Sequence, residues 1–207
     1  MTETLDLFLE DLASSKATPG GGGAAALAGA LGAALGSMVI NLTLGKKKYA
    51  QHEETLREVL KKTEALRREL KDLIAADAEA FAPLARAYGL PKDTPEELAE
   101  REKVMEEALA QAAAVPLEIM KKALEALELQ QVLAEKGSRL AISDVACGAR
   151  LLQAAVSCGE MNVYINTGLM KNRALALELE EKALKISGES RVLAEGICRQ
   201  VLRQIVK

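Results

Sequence analysis

Asp77 is the residue best placed to transfer protons. It falls on the apolar stripe of a long predicted helix, between Leu73 and Phe81 at helical spacing. A carboxyl group on an apolar face loses hydration, which raises its pKa and suits it to general acid or base catalysis near neutral pH. The alternative is a structural ion pair with an Arg or Lys of a neighbouring helix. We predict that Asp77 is catalytic.

Asp144 is the second predicted catalytic residue, and it shares a helix face with two asparagines. Asp144 and Asn162 are separated by about five helical turns and so point to the same side, with Asn166 close to the same stripe. The two ends of this stripe lie about 27 Å apart, so they meet only if the helix pairs antiparallel with its copy in a dimer. The alternatives are helix capping by Ser143 or Asp144 and a tight contact between helices.

A glycine run precedes a second predicted helix. Thr18 and Pro19 lead into four glycines and then an Ala-rich segment, and the free N–H groups of a helix N-terminus favour anions and carbonyl oxygens. We therefore predict that Thr18, Gly20, Gly21 and Gly22 bind substrate. The alternative is a turn that allows close packing. No strand is predicted before the run, and no Gly-Lys-Ser/Thr ends it, so it is not a nucleotide P-loop.

Three lysines and a tyrosine follow the end of that helix. Lys46, Lys47 and Lys48 could simply complement the helix dipole, but a cluster of ammonium groups would also attract an acidic ligand. Tyr49 could stack on a ring or cover the start of the next helix. We include all four residues in the predicted substrate site.

Composition limits the partners of the chain. Twenty-seven basic and thirty acidic residues give a net charge of −3, and aromatic residues make up only 2%, so neither a basic surface nor stacking platforms for nucleic acid are expected. His52 is the one histidine, and the spacing of the three cysteines fits no metal site. We expect no metal and no cofactor. Reduced cysteines and the absence of a signal peptide favour a cytoplasmic protein.

The hydrophobic pattern predicts an all-α, multihelical bundle formed by residues 1–207 as a single domain. No alternating pattern is long enough for a sheet, and no charged residue occurs between Lys16 and Lys46. Ala and Gly dominate that uncharged segment, which favours a buried central helix over a membrane span. Gly22, Gly29 and Gly36 recur every seven residues, as expected where another backbone packs closely.

The other predicted helices include two that approach forty residues. They run to Ser14, from Tyr49 to Tyr88, from Thr94 through a kink or a new start at Pro116 to Lys136, from Ser143 to Thr167, and from Asn172 onward. Helices of this length look too long for a compact monomer, so we expect an intertwined homodimer.

Several segments, in order along the chain, resemble the formiminotetrahydrofolate cyclodeaminase / methenyltetrahydrofolate cyclohydrolase family. The resemblance rests on the ordered set and not on any single motif. The segments are Thr18–Gly22 with Ala24–Gly32, Asn41–Thr43, Gly45–Tyr49, Asp77–Phe81, Val115–Leu117, Ser143–Asp144 and Asn162–Asn166. Gly23 departs from the pattern, because a Ser is expected there, and Thr18 carries the nearest substitute hydroxyl.

The resemblance implies an all-helical, intertwined dimer without a metal, acting on the one-carbon unit between N5 and N10 of tetrahydrofolate. A cyclodeaminase closes a 5-formimino group onto N10 and expels ammonia, and a cyclohydrolase opens the 5,10-methenyl bridge with water. The sequence places cyclodeaminase slightly ahead, with a tetrahydrofolate derivative as substrate and a transferase as a possible partner. A helical dimerisation module that has lost catalysis and a membrane-associated helical protein remain alternatives of other classes.

Overall fold

The computed structural model describes residues 2–206, and side chains from residue 4 onward, as a bundle of six α-helices. No strand occurs in this part of the chain, which confirms the all-α prediction. Short 3₁₀ segments, Lys47–His52 and Arg139–Ala141, precede the third and fifth helices. The helices are α1 (Thr2–Ala13), α2 (Gly21–Asn41), α3 (Glu53–Tyr88), α4 (Pro95–Lys136), α5 (Ile142–Thr167) and α6 (Arg173–Ile205).

Helix α2 is the centre of the bundle and packs against α3, α4 and α5. A side chain at Gly32 would place its Cβ 2.7 Å from Cγ of Leu152 and 2.9 Å from the carbonyl oxygen of Gly148. The backbones of α2 and α5 therefore approach each other closely, as the glycine spacing predicts. The amide of Gln130 on α4 is buried at the same crossing and donates to the carbonyl oxygen of Gly32 at 3.0 Å.

Helix ends are fixed mostly where capping residues predict them. Thr94 caps α4 through a reciprocal pair of hydrogen bonds with Glu97, and Asn172 caps α6. Helix α5 differs, because it begins at Ile142 without a side-chain cap and so contains Asp144 inside its first turn. The alternative that Ser143 or Asp144 caps this helix is therefore excluded.

Three other predicted boundaries need correction. Helix α2, which the sequence predicts to run to about Leu44, ends at Asn41, because the chain tightens into turns before Gly45, whose φ is +75°. Helix α4 continues through Pro116 without a break, which excludes the new start that the sequence allowed there and leaves the kink as its other alternative. The segment predicted to begin α3 at Tyr49 is 3₁₀ until His52.

Helices α2 and α5 together form an uncharged face, bordered on α5 by the exposed Arg150, that the other described residues leave uncovered. Leu31 on α2 is 50% exposed, and Met161 and Ile165 on α5 are 57% and 65% exposed. An apolar groove between the helices is lined by Leu31, Ala34, Leu35, Met38 and Leu151. Two segments, Gly21–Asn41 and Arg139–Thr167, are long and apolar enough to cross a membrane, a test that core helices of soluble proteins also pass.

Candidate functional site

A cavity of about 170 Å³ lies where the N-terminus of α2 meets α3, α4 and the last turns of α5. Seven of the residues predicted to act in catalysis or binding line it: Thr18, Gly20, Gly21, Gly22, Asp77, Asn162 and Asn166. These residues come from segments far apart in the sequence. The fold brings together residues that the sequence predicted segment by segment.

Asp77 faces the first turn of α2 and contacts its backbone. The carboxylate approaches the backbone N–H of Gly23, and an added Cβ at Gly22 would lie 2.1 Å from Oδ1 of Asp77. The N-cap residue Gly20 has no capping side chain, so Asp77 supplies from α3 the acceptor that this helix end lacks. Within the described part of the chain Asp77 has no ion pair, which removes the alternative that the sequence left open.

The environment of Asp77 favours a protonated carboxyl group. Burial raises the pKa of Asp77 above its usual range, and the hydrogen bond from Gly23 opposes that rise with a smaller effect. A carboxyl group with a raised pKa can hold a proton at a pH where an exposed aspartate has lost it. Asp77 is therefore suited to accept and return a proton beside a bound ligand.

Asn162 and Asn166 are oriented by their own amide groups. Nδ2 of Asn162 donates to the carbonyl oxygen of Cys158 at 2.8 Å, and Nδ2 of Asn166 donates to the carbonyl oxygens of Asn162 at 2.7 Å and Ala112 at 3.2 Å. Since these three partners are acceptors, each amide nitrogen must face the backbone. Both side-chain oxygens are left as acceptors for a ligand that carries N–H groups.

The rest of the cavity is apolar, and sequence reasoning missed this part. Its lining residues follow Asp77 on one face of α3, lie on the last turn of α5 or come just after its end: Phe81, Leu84, Tyr88, Ile165 and Leu169. The spacing of 77, 81, 84 and 88 is that of a helix face, and this signal was present in the sequence. An apolar surface beside three polar acceptors suits a flat heteroaromatic ring.

The four predicted residues after α2 lie at the opposite end of the bundle. Helix α2 spans about 30 Å, and Lys46 to Tyr49 follow its far end. Nζ of Lys46 donates to Oγ of Ser138 at 3.3 Å, and the hydroxyl of Tyr49 accepts from the backbone N–H of Arg139 at 3.1 Å. This hydrogen bond is the main cause of a lowered Tyr49 pKa.

Asp144 lies near the same far end, at the start of α5. Asp144, Lys46, Lys47, Lys48 and Tyr49 are therefore absent from the cavity lining within one chain. The structure thus divides the predicted site into two groups, one at each end of α2.

A second, open groove lies between the last turns of α2 and helix α3. It is lined by Ala34, Ser37, Met38, Asn41, Leu42, Glu64 and Arg67. Nη2 of Arg67 lies 2.6 Å from Oε2 of Glu64, and this pairing is the main cause of a lowered Glu64 pKa. The hydroxyl of Ser37 is buried, and its approach to Glu64 falls outside hydrogen-bond geometry, so among the described residues it has no partner.

Metal ligands and cysteines add no further site. Across residues 2–206, no three His, Cys, Asp or Glu side chains are grouped so that they could hold a metal ion. Cys198 is buried, whereas Cys147 and Cys158 are exposed on the uncharged face. The sequence predicts three small buried cysteine side chains, and this is wrong for Cys147 and Cys158.

Comparison with known proteins gives consistent matches. The family model described as formiminotransferase-cyclodeaminase matches residues 4–185. A methenyltetrahydrofolate cyclohydrolase from Methylorubrum extorquens is 45% identical over 203 residues, which is 98% of each chain. A formimidoyltransferase-cyclodeaminase from Rattus norvegicus is 37% identical over 163 residues, covering 79% of this chain but only 30% of that protein.

A solved structure matches the whole fold. The crystal structure of formiminotetrahydrofolate cyclodeaminase from Thermotoga maritima superposes with a TM-score of 0.78 at 29% identity, covering 99% of this chain and 94% of that one. The family resemblance inferred from the ordered segments is confirmed.

Proposed function

The chain belongs to the formiminotransferase-cyclodeaminase family, and we propose that it hydrolyses the 5,10-methenyl bridge of tetrahydrofolate to give 10-formyltetrahydrofolate. The relatives that it matches are named for folate one-carbon reactions. The observation that supports hydrolysis is the 45% identity to a methenyltetrahydrofolate cyclohydrolase over nearly the full length of both chains. Cyclodeamination is the second candidate, favoured by the cyclodeaminase of matching fold. The comparisons do not favour the order that the sequence gave to these two reactions.

The proposed hydrolysis needs one group that moves protons at the bridge carbon. Water adds to the carbon between N5 and N10, and the carboxylate of Asp77 accepts the proton that the water loses. The resulting tetrahedral carbon then breaks its bond to N5, the Asp77 carboxyl group returns its proton to N5, and the hydroxyl proton is released to solvent as the formyl C=O forms. The raised pKa of Asp77, caused by burial, suits this exchange, because the group is required in both protonation states.

The same residues serve the second candidate. In cyclodeamination N10 attacks the carbon of the protonated formimino group, which leaves an NH2 group on the tetrahedral carbon. The carboxylate of Asp77 takes the proton from N10 and passes it to this NH2 group, which leaves as ammonia as the methenyl bridge forms. A transferase would then be the source of the formimino substrate. In both reactions the folate is the substrate, and the proposal includes no resident metal or cofactor and places the enzyme in the cytoplasm.

The asparagines position the ring in this proposal. The oxygens of Asn162 and Asn166 face the cavity because their nitrogens are held by backbone carbonyls, so they can accept from the N–H groups of a reduced pterin. Thr18 and Gly20 to Gly22 form the adjoining surface. The side chains of Phe81 and Ile165 contact the ring faces.

We propose that the active form is an antiparallel homodimer in which each cavity is completed by the partner. The cavity of about 170 Å³ is smaller than the roughly 300 Å³ of the smallest typical ligand sites. The uncharged face of α2 and α5 is exposed in one chain, and a second copy would cover it. In an antiparallel dimer the far end of each chain lies beside the cavity of its partner. This arrangement brings the partner's Asp144, Lys46, Lys47, Lys48 and Tyr49 toward Asn162 and Asn166.

Two measurements test the dimer. Light scattering at micromolar concentration should give twice the mass of one chain, and a monomer would contradict the proposal. Mixed dimers of Asp144→Ala and Asn162→Ala chains should recover activity that neither variant has alone, since one intact site forms in each mixed pair. No recovery would mean that the two residues do not share a site.

A direct assay separates the reactions. The methenyl form absorbs in the near ultraviolet, so its loss from 5,10-methenyltetrahydrofolate and its appearance from 5-formiminotetrahydrofolate can be followed in separate cuvettes. Hydrolysis predicts enzyme-dependent loss in the first. Appearance in the second alone would assign cyclodeamination. No change in either would favour a non-catalytic helical dimerisation module.

A further inference from the structure

The groove between α2 and α3 has a composition that the proposed catalytic steps leave unexplained. Helix α2 contains only two polar side chains, Ser37 and Asn41, and both line this groove. The Ser37 hydroxyl is 5% exposed and, in the described part of the chain, has no hydrogen-bond partner. A helix otherwise made of apolar residues and glycine thus directs both of its polar side chains to one place.

The groove opens onto the same uncharged face that the proposed dimer covers. Ala34 and Met38 line both this groove and the apolar groove beside Leu31. Asn41 is exposed at the end of the face. The groove is therefore continuous with the surface on which a second copy would pack.

The midpoints of α2 and α5 lie at one level. An added Cβ at Gly29 would lie 3.4 Å from Cβ of Ala155, and one at Gly32 would lie 2.7 Å from Cγ of Leu152. Leu31, the middle residue of α2, is therefore level with residues 152–155. That level is also midway between Asp144 and Asn162, the two residues that the proposed dimer brings together.

A two-fold axis at this level exchanges the ends of both helices. Residue 41 of one protomer is then opposite residue 21 of the other, and Gly21 lines the cavity. We propose that Asn41 of one protomer completes the cavity of its partner and binds the substrate there, an inference that depends on the proposed dimeric function. Ser37 and the paired Arg67 and Glu64 extend the same wall.

The chemistry of the two surfaces is complementary. The cavity presents acceptors, namely the oxygens of Asn162 and Asn166 and the carboxyl group of Asp77. The groove adds donors, namely the amide N–H groups of the exposed Asn41. A pterin carries both N–H groups and a ring carbonyl, so it can use both surfaces only where they face each other.

Disulfide trapping tests the arrangement without reference to activity. The probe is the pair Gly20→Cys and Asn41→Cys in a chain that also carries Cys147→Ser and Cys158→Ser. Gly20 is suitable because an added Cβ meets nothing within 4 Å. The two positions lie near opposite ends of α2, about 30 Å apart, so a disulfide between them cannot form within one chain.

With oxidised glutathione as oxidant, the double-cysteine chain should run as a covalent dimer on a non-reducing gel, and each single-cysteine chain should not. Absence of the covalent dimer, or equal cross-linking of a single-cysteine chain, would overturn the proposed register. Because this readout needs no turnover, its failure is distinct from a failure of the folate reaction.

Mixed dimers test the binding role. Asn41→Ala alone should raise KM about tenfold with a smaller change in kcat, and Asn41→Gln should restore part of the loss. Mixing Asp77→Asn with Asn41→Ala chains should give about a quarter of wild-type activity, because half of the dimers contain one intact site. As a matched control, Asp77→Asn mixed with Asn162→Ala should recover nothing. Recovery no greater than the mean of the two variants would place Asn41 outside the partner's site.

Discussion

The two ends of the bundle use polar residues in different ways. At the cavity end, the side-chain nitrogens of Asn162 and Asn166 donate to backbone carbonyl oxygens, and their side-chain oxygens remain free to accept. At the lysine end, the hydroxyl of Tyr49 accepts from Arg139, and Lys46 donates to Ser138. The first arrangement leaves hydrogen-bonding capacity facing a cavity, whereas the second joins the segment after α2 to the start of α5.

This difference shows why residue type alone does not define a site. Lysines and a tyrosine are as plausible for folate binding as asparagines, and the sequence offers both. What distinguishes the two groups of residues is the hydrogen-bonding capacity that remains unused after folding. Among the described residues of one chain, the cavity end retains this hydrogen-bonding capacity beside Asp77, whereas the lysines gain a binding role through a second copy.

Replacing the Asp77 carboxyl group should give the largest effect. Asp77→Asn keeps an acceptor for the Gly23 N–H but cannot exchange a proton, so kcat should fall by about 10²- to 10⁴-fold with little change in KM. The methenyl absorbance assay measures both constants, and circular dichroism checks that helicity is retained. Activity within tenfold of wild type would remove Asp77 from the chemistry and leave it as a cap of α2.

The same variant should change how stability depends on pH. The pKa of Asp77 is raised from 3.8 in the folded protein by burial, so the folded state keeps a proton that the unfolded chain releases. The stabilising contribution of the protonated Asp77 carboxyl group is complete below about pH 3.8. It is lost as the pH rises through the pKa that Asp77 has in the folded protein. The free energy of unfolding of Asp77→Asn relative to wild type, measured in urea from pH 4 to 7, should therefore increase with pH. Parallel curves would contradict the raised pKa.

Gly22 should be the next most sensitive position at the cavity end. In Gly22→Ala the new Cβ would lie 2.1 Å from Oδ1 of Asp77, so the carboxyl group must move, and we expect at least a tenfold loss of kcat/KM. Overpacking should also cost about 1–3 kcal/mol of stability. Gly20→Ala is the matched control, because its Cβ meets nothing within 4 Å and should leave stability unchanged. Equal effects at the two glycines would contradict the placement of Asp77.

Most of the fold could be predicted from the sequence. Helical periodicity and capping residues defined six helices, and Thr94 and Asn172 cap where predicted. The errors have local causes. Pro116 does not interrupt α4, since tertiary packing buries it within the core and outweighs its intrinsic preference. Asp144 does not cap, because the preceding 3₁₀ turn moves the helix start to Ile142.

Several residues of the site could be predicted from the sequence, but not that they lie together. The sequence indicated Asp77 and Asn162 separately, and nothing in their spacing places them beside the same glycine turn. That contact depends on how α3 and α5 pack around α2, which is tertiary information. The apolar lining at Phe81 and Tyr88 could have been found from its helical spacing, whereas the division between two ends of the bundle required coordinates.

Removing the three lysine charges should give a moderate, substrate-dependent effect. Replacing Lys46, Lys47 and Lys48 together with Gln should raise KM more for polyglutamylated folate than for the monoglutamate, because the partner's ammonium groups would attract the acidic tail. Increasing salt should reduce this difference in wild type. Equal KM values for the two substrates in both proteins would mean that these lysines are surface residues that do not bind the acidic tail.

Tyr49→Phe tests the structural side of the lysine end. The variant loses the acceptor of the Arg139 N–H at 3.1 Å, which should lower stability by about 0.5–1.5 kcal/mol. Urea unfolding measures this loss. The kcat should stay within twofold of wild type, since the lost hydroxyl already accepts from Arg139 and the aromatic ring that would face the partner's cavity is kept. A kcat loss above tenfold with unchanged stability would move Tyr49 into the active site.

Substitution of Gly23 should have the smallest effect. It should raise the free energy of unfolding, whereas substitution of Gly22 should lower it. An added Cβ at Gly23 would lie 3.4 Å from Cβ of Pro19 and 4.0 Å from Ile74, which are ordinary contacts. Gly23→Ala should therefore raise the free energy of unfolding by about 0.5–1 kcal/mol through helix propensity, while its N–H still donates to Asp77. Gly23→Ser, the residue that the family pattern leads us to expect, should fold equally well. If the serine variant alone raises kcat, a hydroxyl at the first turn of α2 takes part in the reaction, and Thr18 does not fully replace it.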